Sequence, residues 1–142
     1  MIGLLIWLGV ILPLGIYLGW QHLYTQLSWF FTKAALLTFG GAYAVLHYVF
    51  QGAVEHYHWL TAAQMMDSLA LGETTPGPLI MVNTFVGFVT GWQTTVGGLN
   101  VALMCASIVT FFTFLPSFVM IFLGGPFIES TRGNLSLGAP LT

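Results

Sequence analysis

The stretch Leu69-Ala70-Leu71-Gly72-Glu73-Thr74-Thr75-Pro76-Gly77-Pro78-Leu79-Ile80 decides how the chain is read. Pro76 and Pro78 flank Gly77, so two backbone donors are lost within three residues and no helix runs through 72–78. Upstream, Thr61-Ala62-Ala63-Gln64 fits a capping box and starts a short helix toward Leu71. Thr61, Gln64, Asp67 and Ser68 give that helix one polar stripe. Downstream, residues 79–92 are apolar but number only 14, too few to cross a bilayer unaided. Short helix, break, short helix is the pattern of a re-entrant hairpin or a discontinuous transmembrane helix.

The remainder of the chain supplies a solvent for such a break. Among 142 residues two are basic and four acidic, so 4% are charged, against about 25% in ordinary soluble domains. Hydrophobic residues make up 57%, aromatics 15%, and the mean hydropathy is +0.90. A domain of ~150 residues buries only about 70% of its unfolded surface, so this much apolar surface calls for lipid. A soluble enzyme, a nucleic-acid binder and a disordered regulator are all disfavoured. The net charge of −2 leaves no basic patch for nucleic acid. Cys105, the single cysteine, has no intrachain disulfide partner.

Residues 2–20 read as a spanning helix kinked at Pro13. They lack the charged start and the small-residue cleavage site of a signal peptide. Residues 27–50 read as a second span that contains Lys33 and is interrupted at Phe39-Gly40-Gly41. Residues 99–123 carry Pro116 and outrun a ~30 Å hydrocarbon core, which predicts tilt, a kink or two pieces. Beyond Leu123 the chain turns polar and rich in turn residues. The pairs Gly15/Gly19 and Gly87/Gly91 have the spacing of close helix contacts. The expected fold is an all-α integral membrane protein with about four transmembrane segments and broken or re-entrant helices. It forms one unit over 1–142.

Non-helical backbone at membrane depth is tolerated only inside protein or along a water-filled cavity. Helices starting after Gly40-Gly41 and at Pro78 would point free N–H groups and positive dipole ends into such a cavity. Two facing helix starts make an anion site without a buried cation; a kinked helix with an ordinary external loop is the plainer alternative. Glu73 adjoins the second break, either as a proton-sensing carboxylate or as a solvated interfacial one. Asp67 is the more interfacial of the two. Tyr43, His47, Gln51 and Glu55 recur every four positions, a seam that lines a path or packs against another helix. Glu55-His56-Tyr57-His58 lacks a metal-ligand spacing and reads with Trp59 as an interfacial belt. Lys33 and Arg132 are the only cations. No catalytic grouping, metal site or cofactor motif is present.

In sequence order, Phe39-Gly40-Gly41, Trp59-Leu60-Thr61, Asp67, Glu73-Thr74-Thr75-Pro76-Gly77-Pro78 and Phe85-Val86-Gly87-Phe88 resemble one domain of the chromate transporter family. Phe114-Leu115-Pro116-Ser117-Phe118, Gly124, Pro126, Glu129 and Arg132-Gly133-Asn134 continue the likeness, which is greatest to the C-terminal half of the long form. The resemblance implies transport of chromate, with sulfate as a related divalent oxyanion, across a bacterial inner membrane as efflux conferring resistance. It also implies pairing, as a homodimer or with a second such domain. The sequence is expected to depart from the family pattern in three ways: at His47, where proline is common, in missing the last spanning segments of such a domain after Thr142, and in carrying one domain alone. The substrate is expected on Gly40, Gly41, Tyr43, Thr74, Thr75, Gly77, Pro78 and Asn83. Glu73 is the proton-coupling candidate, and His47, Asp67, Lys33 and Arg132 are secondary ones. A truncated half that needs a partner and a passive anion channel are the alternatives.

Overall fold

The computed structural model describes residues 2–37, 42–76, 78, 81–94 and 97–132, with the side chains of 2–4, 42 and 126–132 outside the description. Every regular element among the described residues is helical. These are α1 (Ile2–Leu18), α2 (Leu23–Leu37), α3 (Ala42–Phe50), a π-helical turn (Gln51–His56), α4 (Ala62–Thr74), α5 (Val82–Gln93) and α6 (Leu99–Arg132).

Lipid, rather than water, explains the outer surface. Leu5, Ile16, Tyr17, Leu37, Met66, Ile121 and Phe122 are all exposed, an apolar exterior far beyond the patches of soluble monomers. Among the described residues one helix is long and apolar enough to cross a membrane, through Leu99–Gly125; the apolar part of α1, Leu5–Leu18, is shorter. Polar side chains inside the bundle bond to main-chain carbonyls. Ser28, Thr32, Ser68, Thr90 and Thr110 each donate to the carbonyl four residues back, as hydroxyls do where no water is available.

Residues 27–50 do not form one interrupted crossing. Phe30 of α2 stacks on Tyr48 of α3, with centroids 5.1 Å apart, and lies against Gly52 in the π turn. The two helices therefore lie antiparallel, and the chain doubles back between Leu37 and Ala42. Gly40 and Gly41, expected at this break, lie outside the described residues.

A second reversal joins α4 to α5. Ser68, Gly72 and Thr75 face Met81, Thr84 and Phe88 across one cavity. The capping box that starts α4 forms as expected: Thr61 Oγ1 accepts from the Gln64 amide at 3.3 Å, and the Thr61 amide donates to Gln64 Oε1 at 2.9 Å. The helix then outlasts the expected stop at Leu71. It includes Gly72, Glu73 and Thr74, because no proline intrudes before Pro76. Thr75 is extended, with φ −84° and ψ 126°, as a residue before proline must be. Downstream, α5 is described from Val82 onward, and residues 79 and 80, after the start expected at Pro78, lie outside the described residues. The Met81 amide donates to the Pro78 carbonyl at 2.9 Å, a helical turn that leads into α5.

Small residues on α5 allow α6 to approach closely. A Cβ on Gly87 would meet Val109 and Cys105, and one on Gly91 would meet the backbone of Val101 and Ala102. Thr84 and Thr110 join the same face through a 2.8 Å hydroxyl pair. The pairing is antiparallel. Gly19, by contrast, has φ +85° and open space around it, so it ends α1 as a left-handed turn instead of making a helix contact. Helix α6 is one element through Pro116 and continues over Gly124-Gly125-Pro126 to Arg132, where the sequence reads as turns.

Thr32 and Leu36, late in α2, share an apolar cavity with Leu115, Val119 and Leu123, late in α6. Helices α2 and α6 therefore run in the same direction, and both chain reversals lie toward the second half of α6. One core of Leu27, Phe31, Val49, Met65, Val86, Cys105 and Val109 draws on α2 through α6.

Candidate functional site

At the α4–α5 reversal, Thr75 lines a cavity of about 360 Å³ with Ser68, Gly72, Met81, Thr84 and Phe85. Glu73, Thr74 and Pro78 are exposed, as is Asp67 earlier on α4. Gly77 lies outside the described residues. The threonine hydroxyls already have acceptors. Thr75 Oγ1 donates to the Leu71 carbonyl at 2.6 Å, and Thr74 Oγ1 to the Ala70 and Leu71 carbonyls at 3.0 and 3.1 Å. To ligate an anion, each must rotate its proton away from its own helix. Glu73 occupies the last turn of α4, where the helix dipole disfavours a negative charge.

Asn83 is the anomaly of this site. It sits in the first turn of α5, is 1% exposed, and neither its Nδ2 nor its Oδ1 has a hydrogen-bond partner. The antiparallel register set by Thr84–Thr110 and by Gly87 against Val109 places it beside the α6 turn that carries Thr113. Thr113 is 3% exposed and its hydroxyl is also unpartnered. Three residues on, Pro116 lacks the N–H that the Phe112 carbonyl would accept from. Orphaned buried polar atoms cost about 1–3 kcal/mol each. Asn83 itself lies in the first turn of α5, which starts without a side-chain cap. The Asn83 amide and the Thr113 hydroxyl are thus donors that nothing among the described residues takes up.

Lys33 belongs to a different place. With Trp29, Phe30, Tyr48, Gln51, Glu55 and His56 it lines an open cavity of about 560 Å³ between α2 and the end of α3. Its Nζ lies 5.1 Å from the centroid of the Trp29 ring, a cation–π distance. The four-residue seam is thereby split: Gln51 and Glu55 face this cavity, whereas Tyr43 and His47 are exposed on α3 outside it. Arg132 is the last residue of α6, and its side chain lies outside the description.

The sequence reading did not single out Thr113 or the π turn. A threonine three residues before a mid-helix proline was the available sign for Thr113. For the π turn it was Gly52, which accommodates the Phe30 ring.

An apolar exterior, hydroxyls bonded within their own helices and a membrane-length α6 define an all-helical membrane protein. The family model described as Chromate transporter matches residues 25–142, and the chain belongs to that family, one of transporters and not of enzymes. A chromate transport protein of Cupriavidus metallidurans is 33% identical over 112 residues, covering 79% of this chain and 25% of that protein. An uncharacterized transporter of Methanocaldococcus jannaschii is 31% identical over 108 residues, 76% of this chain and 24% of that one. A chromate transport protein of Pseudomonas aeruginosa is 51% identical over 59 residues, 42% of this chain and 14% of that one. The chain thus spans a quarter or less of the length of these relatives. No solved structure matches it.

Proposed function

We propose that this chain is one domain of a transporter that moves chromate, or a related divalent oxyanion such as sulfate, across the bacterial inner membrane. Efflux is the proposed direction and chromate resistance its consequence. The observation that carries the reading is the family match over residues 25–142. Uncapped α5, unpartnered Asn83 and Thr113, and two chain reversals toward the same half of α6 support it. In this reading α6 crosses the membrane, α1 makes a shorter crossing, and the α2–α3 and α4–α5 pairs dip in as re-entrant hairpins. The dianion is held by backbone donors at the starts of α3 and α5, with Gly40, Gly41, Gly77 and Pro78 shaping the approach. Asn83 and the hydroxyls of Thr74 and Thr75 complete its ligation, and Tyr43 stands at the first reversal. Protonation of Glu73 removes a charge that repels the anion, coupling proton movement to transport. His47, Asp67 and Arg132 are secondary contributors along the path.

The proposed working unit is a pair, either two copies or this domain with a second of its kind, because the chain matches only a quarter or less of its relatives. The same observation favours a second reading, a non-transporting half that only packs against its partner. Chromate uptake into inverted vesicles separates the two. The proposal expects uptake above empty vesicles, abolished by Gly41→Leu. Uptake equal to that of empty vesicles, with a dimer that chromate does not stabilise against heat, supports the second reading. Uptake unchanged in Gly41→Leu contradicts the helix-start site.

A further inference from the structure

The cavity beside Lys33 lies apart from the α4–α5 reversal and has its own chemistry. Among the described residues Lys33 makes no ion pair, and its ammonium is held against the face of Trp29 at 5.1 Å. An aromatic face attracts the cation without taking up its hydrogen-bond donors in the way a carboxylate does. Thr32, the preceding residue, lies level with Leu115 and Pro116, inside the apolar stretch Leu99–Gly125 of α6. A cation at that depth is costly unless it faces water or a counter-charge. The cavity of about 560 Å³ supplies room for one, and Gln51 and Tyr48 add amide and hydroxyl donors to its wall.

We propose that this cavity binds a tetrahedral oxyanion group with Lys33 as its counter-ion, making a second binding point beside the proposed transport site. The proposal rests on the reading above only for its substrate class. The π turn sets the geometry. Its wider winding, with the Tyr57 amide bonded to the Gly52 carbonyl at 2.9 Å, brings Gln51, Gly52, Glu55 and His56 all onto the cavity wall. The titratable groups facing Lys33 are Tyr48 from α3, Glu55 and His56 from the π turn, and Tyr57 just beyond it.

The test is equilibrium binding of labelled sulfate to the 142-residue chain in lipid nanodiscs. In neutral phosphatidylcholine discs a free oxyanion is the ligand, so Lys33→Gln weakens one binding component about tenfold or more, and Lys33→Arg restores most of it. Discs containing phosphatidylglycerol, without sulfate, test a lipid-borne phosphate in the same place. Lys33-dependent thermal stabilisation there, with no sulfate binding, supports the site and assigns its ligand to lipid. Binding and stabilisation that are identical in Lys33→Gln overturn the proposal, as does their absence in both kinds of disc. Failure of the transport reading looks different: flux is absent while Lys33-dependent binding persists.

Discussion

The hydroxyl oxygens of Thr84 and Thr110 lie 2.8 Å apart across the α5–α6 interface, and this pair sets the register that buries Asn83 without a partner. Two helices held by small residues and one hydroxyl bridge enclose an amide that neither of them satisfies. Buried amides in native proteins are nearly always bonded, and under the proposed function this one is held for the oxyanion.

Replacing Asn83 tests that view. Exchanging an orphaned polar group for an apolar one of similar size is close to neutral or stabilising. Asn83→Leu is therefore expected to leave the thermal midpoint in detergent unchanged or higher. Oxyanion flux is expected to fall about tenfold or more, the equivalent of about one charge-assisted hydrogen bond. A lower midpoint with unchanged flux would assign the amide a purely structural role.

Glycine substitutions on and beside α5 are predicted to be unequal. The Cβ of Gly91→Ala meets Ala102 Cα and the Val101 carbonyl at 2.8 Å, both backbone atoms that cannot swing aside. A loss of about 1–3 kcal/mol is expected. Gly98→Ala finds nothing within 4 Å and is expected to be near neutral. Unfolding of both variants side by side in one detergent provides the check.

The π turn depends on Gly52. A methyl group there runs into the Phe30 ring, which Tyr48, Tyr57 and Trp59 hold in place at centroid distances of 5.1, 5.8 and 5.6 Å. Gly52→Ala is expected to destabilise the chain by about 1–3 kcal/mol. Adding Phe30→Leu should recover part of that loss through the smaller side chain. A double-mutant cycle measures the coupling, and strictly additive effects would contradict the contact.

Local signals were legible in the sequence where a single residue or short motif sets the backbone. The Thr61–Gln64 capping box and the apolar exterior are both of this kind. The reach of helices past weak signals was not. Gly72 and Gly124-Gly125 suggested ends, yet α4 and α6 continue through them, since glycine in a helix costs only about 1 kcal/mol. Nor does hydropathy distinguish a crossing that pauses from one that doubles back, and so Lys33 and Gln51 appeared to belong to separate features. Their meeting depends on the tertiary packing of Phe30 against Tyr48 and Gly52. Asn83 was among the expected substrate-binding residues, but only the α5–α6 packing reveals that its amide is unpartnered.

The most direct test of the central claim, that an oxyanion moves past the α4–α5 reversal under control of a carboxylate, is the pH profile of chromate flux. It compares vesicles carrying the wild-type chain, paired with a second domain where one is required, with vesicles carrying Glu73→Gln. The account predicts wild-type flux that depends on pH and Glu73→Gln flux that no longer does, because the glutamine stays neutral throughout. Identical pH profiles for the two proteins would contradict it.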